Sequence, residues 1–311
     1  MLNNKMMNKK KYNMKRLSII LAVFFIGISI INISCVQTDR VVGIKGDGNI
    51  ITSEKTLSSF EKIQLCGSVT ANFHASNEYR AVISIDSNLL EHINITTSDN
   101  TLTIGMKSGS YSITKYVVDI YCPHVLEVSV SGSGSFNMID KIVVPTFESS
   151  IIGSGEIHGT VECDDFLASV SGSGEMHGSV KCVNFSASIV GSGEIHETVK
   201  CDIFSASVSG SGEIYSTVEC EKSAASIIGS GNINISGSGK NSEVNVSGSG
   251  SFKGKEFKTN NADVSLVGSG NINIWAEDYL NASISGSGKV IYRGSPKIDF
   301  SVTGSGRIKS E

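Results

Sequence analysis

The sequence predicts an all-β chain: a right-handed parallel β-helix, or solenoid, wound in coils of about 19 residues. Three observations predict it. A Gly-Ser-Gly triplet recurs with its first glycine at Gly153, Gly172, Gly191, Gly210, Gly229 and Gly248, and the beat extends to Gly132, Gly268, Gly286 and Gly304. Between triplets, apolar and polar residues alternate with period two, the mark of a strand with one buried face. The 33 glycines against 3 prolines fit many tight turns, and the regular spread of apolar residues excludes a disordered linker. Self-similarity at such a period means units that bury their apolar faces only against their neighbours. Parallel crossovers are right-handed in ~98% of cases, which sets the expected hand.

One repeat shows how a coil is built. After Gly153-Ser154-Gly155, the residues Glu156, His158, Thr160 and Glu162 alternate with Ile157, Gly159, Val161 and Cys163, so one face is polar and the other apolar and small. Asp164-Asp165 breaks the run as a turn does. Phe166, Ala168 and Val170 then share the inward parity, and the next triplet follows. Glycine at the triplet allows the backbone angles of a corner and a close approach between coils. The ten triplets on the beat, at a strand spacing of about 4.8 Å, give a rod section of roughly 50 Å. An extra triplet at Gly237 lies off the beat.

Residues 41–130 lack the tidy repeat yet read as strands, at Ile63-Gln64-Leu65, Val82-Ile83-Ser84-Ile85, Leu102-Thr103-Ile104 and Val117-Val118-Asp119-Ile120. Terminal repeats are atypical because they cover exposed edges. We therefore expect irregular N-terminal coils over 41–130 and regular Gly-Ser-Gly coils over 131–311.

Residues 1–34 read as a lipoprotein signal peptide, with 35–40 a short tether. Lys5, Lys9, Lys10, Lys11, Lys15 and Arg16 form a basic region with no acid before Asp39. The apolar run at 17–31 is shorter than the ~20 residues of a membrane span. Its end, Ile33-Ser34-Cys35, resembles a bacterial lipoprotein signal, in which the cysteine becomes the lipidated first residue. Cys35 is thus the candidate lipidation site; an ordinary cleaved signal or an uncleaved anchor helix are the alternatives. Met14 before Lys15-Arg16 would itself open a signal of normal length. Val36 stands where an acid would mark inner-membrane retention, which favours the outer membrane, on its periplasmic or its surface-exposed face. The expected membrane contact is this N-terminal lipid.

Without residues 1–34 the chain carries 20 Lys/Arg against 30 Asp/Glu, which argues against nucleic acid, whose binding needs phosphate neutralisation. Four cysteines lie on the beat: Cys163, Cys182, Cys201 and Cys220. Stacking places them on adjacent coils with parallel Cβ directions, so bridges would be strained, and a buried ladder of thiols is favoured over disulfides or a metal site. No C-x-x-C spacing supports zinc.

A second ladder is polar. Glu156/His158, Glu175/His177 and Glu194/His196 repeat outward as Glu-x-His, followed by Glu213/Tyr215. Histidine with carboxylate can hold a divalent cation or line a ligand stripe. Repeat duplication alone also copies a solvated polar face, and that reading is favoured, so no metal ligand is assigned and no cofactor is expected. Glu156, His158, Glu175, His177, Glu194, His196 and Tyr215 stand as candidate ligand contacts. Trp275 joins them, because alternation from Asn271 turns it outward.

Catalytic motifs fail on inspection. The triplets lack the G-x-G-x-x-G spacing and a following helix, and Gly239-Lys240 lacks the rest of a phosphate loop. Asp164-Asp165, His177-Gly178 and Arg307-Ile308-Lys309 mimic fragments of the polygalacturonase motif set, but in the wrong order and without a partner Asp motif. No catalytic residue is assigned.

The chain also resembles a known family. Phe60-Glu61-Lys62-Ile63, Asn88-Leu89-Leu90-Glu91-His92-Ile93, Asp99-Asn100-Thr101-Leu102-Thr103-Ile104 and Pro123 ahead of the first triplet carry the likeness, together with Gly231-Asn232-Ile233 and Gly270-Asn271-Ile272 on the beat. With these residues the chain resembles the auto-transporter adhesins with a head GIN domain, a family common among Bacteroidetes lipoproteins, over about residues 41–311. The resemblance implies a pectin-lyase-like β-helix without the lyases' catalytic residues, and an adhesive role. The long run of near-identical cysteine-bearing repeats departs from it. The expected function is an exported, lipid-anchored adhesion or binding module for a host glycan or matrix protein; the alternatives are a non-catalytic envelope scaffold and, less favoured, a polysaccharide lyase or hydrolase.

Overall fold

A computed structural model describes residues 43–311. The signal segment, the tether and Cys35 lie outside the described residues.

From residue 127 onward the chain is a parallel β-solenoid with two strands per regular coil. In one sheet Thr146–Gly153, Asp165–Gly172, Asn184–Gly191, Ile203–Gly210, Lys222–Gly229 and Asn241–Gly248 pair in parallel, each residue meeting its counterpart one repeat away. In the other, Glu156–Glu162, Glu175–Lys181, Glu194–Lys200, Glu213–Glu219 and Asn232–Ser238 do the same. The triplet explains itself at the corner. Gly191 holds φ at +123°, and a Cβ there would stand 2.6 Å from the Gly172 carbonyl oxygen; a Cβ on Gly193 would meet Val170 Cγ1 at 2.5 Å. The serine between them turns to solvent, and in the repeat before, Ser173 N–H donates to the Gly153 carbonyl at 2.8 Å.

Vertical registry makes columns of like residues. Phe147, Phe166, Phe185 and Phe204 stack inside with ring centroids 5.8, 5.3 and 5.2 Å apart. Each buried ring contributes about 1.5–3 kcal/mol by leaving water. The column continues through Ser223 and Ser242, both buried, whose hydroxyls bond to each other at 2.9 Å. The buried polar pair is thereby satisfied. Cys163, Cys182, Cys201 and Cys220 form the expected ladder of free thiols, alternately buried and half-buried. Each cysteine N–H donates at 3.0 Å to a carbonyl of the next coil.

The N-terminal part departs from simple stacking. The coil formed by Lys62–Gly67 and Thr70–Ala75 pairs in parallel with Glu127–Gly132 and Ser135–Met138 on one side. On the other side it pairs with Thr101–Met106 and Tyr116–Cys122, so coils here do not follow chain order. Antiparallel strands complete this end: Ile50–Thr56 on Arg80–Asp86, Arg80–Asp86 on Tyr116–Cys122, and Ile93–Ser98 on Thr101–Met106. The last hairpin turns through Asp99 and Asn100 at φ of 50° and 61°, angles that these short polar side chains tolerate. The antiparallel strands cover a solenoid edge that would otherwise present free backbone groups. At the other end, Phe300 and Val302 continue the inward columns of Ala282 and Ile284 and are 68% and 38% exposed.

Candidate functional site

The second sheet presents its polar residues outward in columns. Strand alternation fixes which side chains face out, and the 19-residue register places like above like. The rings of His158, His177, His196 and Tyr215 therefore form one continuous stack, with centroids 5.1, 4.7 and 4.6 Å apart and planes within 12° of parallel. Beside them stand Glu156, Glu175, Glu194 and Glu213. Each histidine Nε2 meets the carboxylate two residues before it, at 3.1, 3.3 and 2.9 Å, and the Tyr215 hydroxyl donates to Glu213. Each glutamate of the column thus has a ring partner within its own strand. The hydrogen bond to Glu213 raises the Tyr215 phenol to about 12, and the same bond lowers Glu213. All seven of these expected contact residues come together on one half-exposed face.

A third outward column, Thr198, Thr217 and Ser236, runs parallel to the ring stack, and a groove of about 480 Å³ lies between the two. His196, Tyr215 and Asn234 form one wall; Lys253, Lys255 and Glu256 stand at one end. Lys255 and Glu256 are there because the register shifts between Asn234 and Ser236, where the facing strand carries one extra residue. Beneath the groove the inward positions change along the stack from Gly159 and Gly178 to Glu197, Ser216 and Ile235. Glu197 is buried, and burial pushes its carboxyl up to about 8. Sequence reading missed Glu197. The signal was present: Gly159 and Gly178 sit at an inward position, and the third copy places an acid there.

Outside these columns the face is ion-paired. Glu162 accepts from Lys141 at 2.8 Å and Lys181 at 2.7 Å, and these two partners hold its carboxyl at about 2. Lys200 meets Glu219 at 3.0 Å. Such exposed pairs contribute little stability.

Trp275 points outward, as alternation requires, but it is not a bare platform. The Arg293 guanidinium lies 4.1 Å from the ring centroid and Lys258 Nζ lies 5.4 Å away, from the coils on either side. Its Nε1 donates to Glu277 at 3.1 Å. The ring is a half-buried cation–π centre one coil beyond the lysine end of the groove: Arg293, which covers it, also meets Glu256 of the groove at 3.8 Å.

The polygalacturonase-like fragments do not converge. Asp165 begins a strand of the first sheet, His177 lies in the second, and Arg307 pairs with Lys289 at the last coil. Among the described residues no three His, Cys, Asp or Glu side chains gather to hold a metal ion. No described helix is long and apolar enough to cross a membrane.

Comparison with known proteins agrees with this architecture. A crystal structure of a putative adhesin from Parabacteroides merdae matches with 21% identity and a TM-score of 0.52, over 86% of this chain and 99% of its own. A putative adhesin from Parabacteroides distasonis matches with 22% identity and a TM-score of 0.51, over 86% and 100%. A second P. distasonis protein, described as a putative lipid binding protein, matches with 25% identity and a TM-score of 0.50, over 86% and 99%. No curated protein matches. The model of the family described as "Putative auto-transporter adhesin, head GIN domain" matches residues 59–198 and again 194–296, and the chain belongs to that family.

Proposed function

We propose that the chain is an exported adhesion module of the cell envelope, anchored by a lipid on Cys35, which binds its target through the polar face of the second sheet and catalyses no reaction. Membership of an adhesin family supports the general role. The observation that carries the reading is the ring stack of His158, His177, His196 and Tyr215, held in line with its glutamates beside a groove. A rigid sheet repeats these contact groups at every coil and loses little side-chain entropy on binding, because each ring is already held by its neighbours and its carboxylate. The dispersal of the polygalacturonase-like fragments supports a binding role over a hydrolytic one.

Three experiments test this. Palmitate labelling and membrane fractionation should show lipid on the wild-type protein and none on Cys35→Ala, which should leave the membrane fraction. On an array of glycans and matrix proteins the delipidated mature chain should bind, and combined His158→Ala, His177→Ala and His196→Ala changes should weaken that binding. A folded chain that binds nothing on such an array would leave the scaffold reading. Turnover of a uronic-acid polymer, lost in Asp164→Asn, would overturn the non-catalytic one.

A further inference from the structure

Lys181, Lys200 and Lys258 of the second sheet each meet a glutamate, at 2.7, 3.0 and 3.1 Å. Lys253 and Lys255, which stand together at one end of the groove, have no ion pair among the described residues. The nearby acids are engaged elsewhere. Glu256 meets Arg293 at 3.8 Å, and Glu213 accepts from the Tyr215 hydroxyl and, at 3.0 Å, from Asn232. Lys253 stands two coils beyond Glu213 yet lies close enough to lower its carboxyl, which brings its ammonium group to the groove's side of the coil.

The register explains why Lys255 is there. From Glu156–Glu162 through Asn232–Ser238 the strands of this sheet stack residue for residue. In the next coil Gly254 and Lys255 together oppose Ile235, and alternation breaks: Lys255 and Glu256, consecutive residues, are both exposed. Bulges re-aim side chains and are over-represented next to active sites. Here the bulge adds an ammonium group to the end of the groove. The other outward lining groups are hydrogen-bonding ones. The Thr217 and Ser236 hydroxyls meet at 3.3 Å, which occupies one of their two donors. Asn234, in the column between Tyr215 and Lys253, keeps an amide Nδ2 without a partner.

We propose that this end of the groove is a subsite for an acidic sugar residue of a glycan: the Lys253 and Lys255 ammonium groups hold its carboxylate or sulfate, and Thr217, Ser236 and Asn234 hydrogen-bond its hydroxyls. The inference rests on the reading of the chain as a binding module and names the ligand class of that face. Two cations without an acid of their own leave this end positive on a chain whose formal net charge is −4. The glutamate column stands on the far side of the rings from the groove. Glu197, beneath it, is kept protonated by burial and adds no negative charge at neutral pH. An ammonium group is a point charge on a flexible stem, so a pair of them selects charge rather than the planar shape of a carboxylate, and sulfate is accepted too. The groove, at about 480 Å³, lies within the roughly 300–1,000 Å³ of small-molecule sites.

The test uses the full chain in detergent at about 0.1 M salt, where charges more than ~10 Å apart are screened from one another. The probes are digalacturonate for the carboxylate, 6-sulfated chitobiose for the sulfate, and the dimethyl ester of digalacturonate as the uncharged control, read by saturation-transfer NMR and calorimetry. The wild type should bind at least one anionic probe about tenfold or more tightly than the ester, and the probe that binds identifies the anion. The double variant Lys253→Gln, Lys255→Gln should fold, because both side chains are exposed, and should lose that preference. Lys222→Gln, which removes a charge from the first sheet, should stay within about threefold of the wild type. Unchanged anion binding in the double variant overturns the proposal, and so does equal binding of acid and ester. A wild type that binds neither anionic probe overturns it as well. In that case attachment to glycan or matrix arrays separates the outcomes: if attachment persists, only the subsite falls, and if it is absent, the adhesive reading falls with it.

Discussion

Glu197 fills, from one coil away, the inward space that Gly178 leaves empty: its Oε2 stands 3.0 Å from where a Gly178 Cβ would be. A large acid in a column of glycines is accommodated only because its lower neighbour has no side chain. Gly178→Ala should therefore crowd Glu197 and also the Gly159 carbonyl oxygen, which would lie 2.3 Å from the added Cβ, and should destabilise the fold beyond an ordinary glycine substitution, as measured by urea unfolding.

The same carboxyl makes stability depend on pH. Its pKa is raised by burial to about 8 from an unfolded value near 4.5. The folded state keeps the proton to higher pH than the unfolded state. Its contribution is fully present below about pH 4.5 and is lost as the pH rises through about 8. The urea midpoint of the wild type should fall between pH 5 and pH 8 by more than that of Glu197→Gln, which has no proton to lose. Parallel pH profiles would contradict the burial of this group.

The phenylalanine column predicts a large core effect. Phe185 is stacked between Phe166 and Phe204 and is 1% exposed. Phe185→Ala should destabilise by about 3–5 kcal/mol in chemical denaturation, because the rigid coils above and below cannot collapse into the space.

The corner glycines predict a contrast within one triplet. Gly191→Ala places a Cβ against the Gly172 carbonyl at a φ of +123° and should cost about 1–3 kcal/mol from backbone strain alone. Ser192→Ala, at the exposed position between the two glycines, should change the thermal midpoint by little.

Three thiols of the ladder, Cys163, Cys201 and Cys220, should be unreactive while folded, and so should Cys122 outside it. Burial raises Cys122, Cys163 and Cys220 to about 12, and a hydrogen bond to Cys182 together with burial raises Cys201 well above the usual thiol range. Since the thiolate is the nucleophile, maleimide or disulfide reagents at pH 8 should label these four only after unfolding, as read by peptide mass spectrometry.

Much of this was legible in the chain itself. The position of Gly172 relative to Gly153 gave the coil, alternation gave the outward glutamate and histidine columns, and the spacing of Cys163 and Cys182 gave the thiol ladder. Such features need only local periodicity and in-register stacking. The strands of the N-terminal coils were legible but their pairing was not, because Thr101–Met106 pairs beneath Lys62–Gly67 without any matching spacing to announce it. The covering of Trp275 was not legible either. Arg293 reaches it from the next coil and Lys258 from the coil before, where the register has slipped.

By itself the sequence determined the architecture, since a repeating pattern of glycine corners and alternating strands has one economical way to bury its apolar side. Only the tertiary structure decided which polar groups lack partners and which ring faces are covered. Those facts depend on the neighbour across a coil boundary, and a shift of one residue in register changes that neighbour while leaving the local pattern intact.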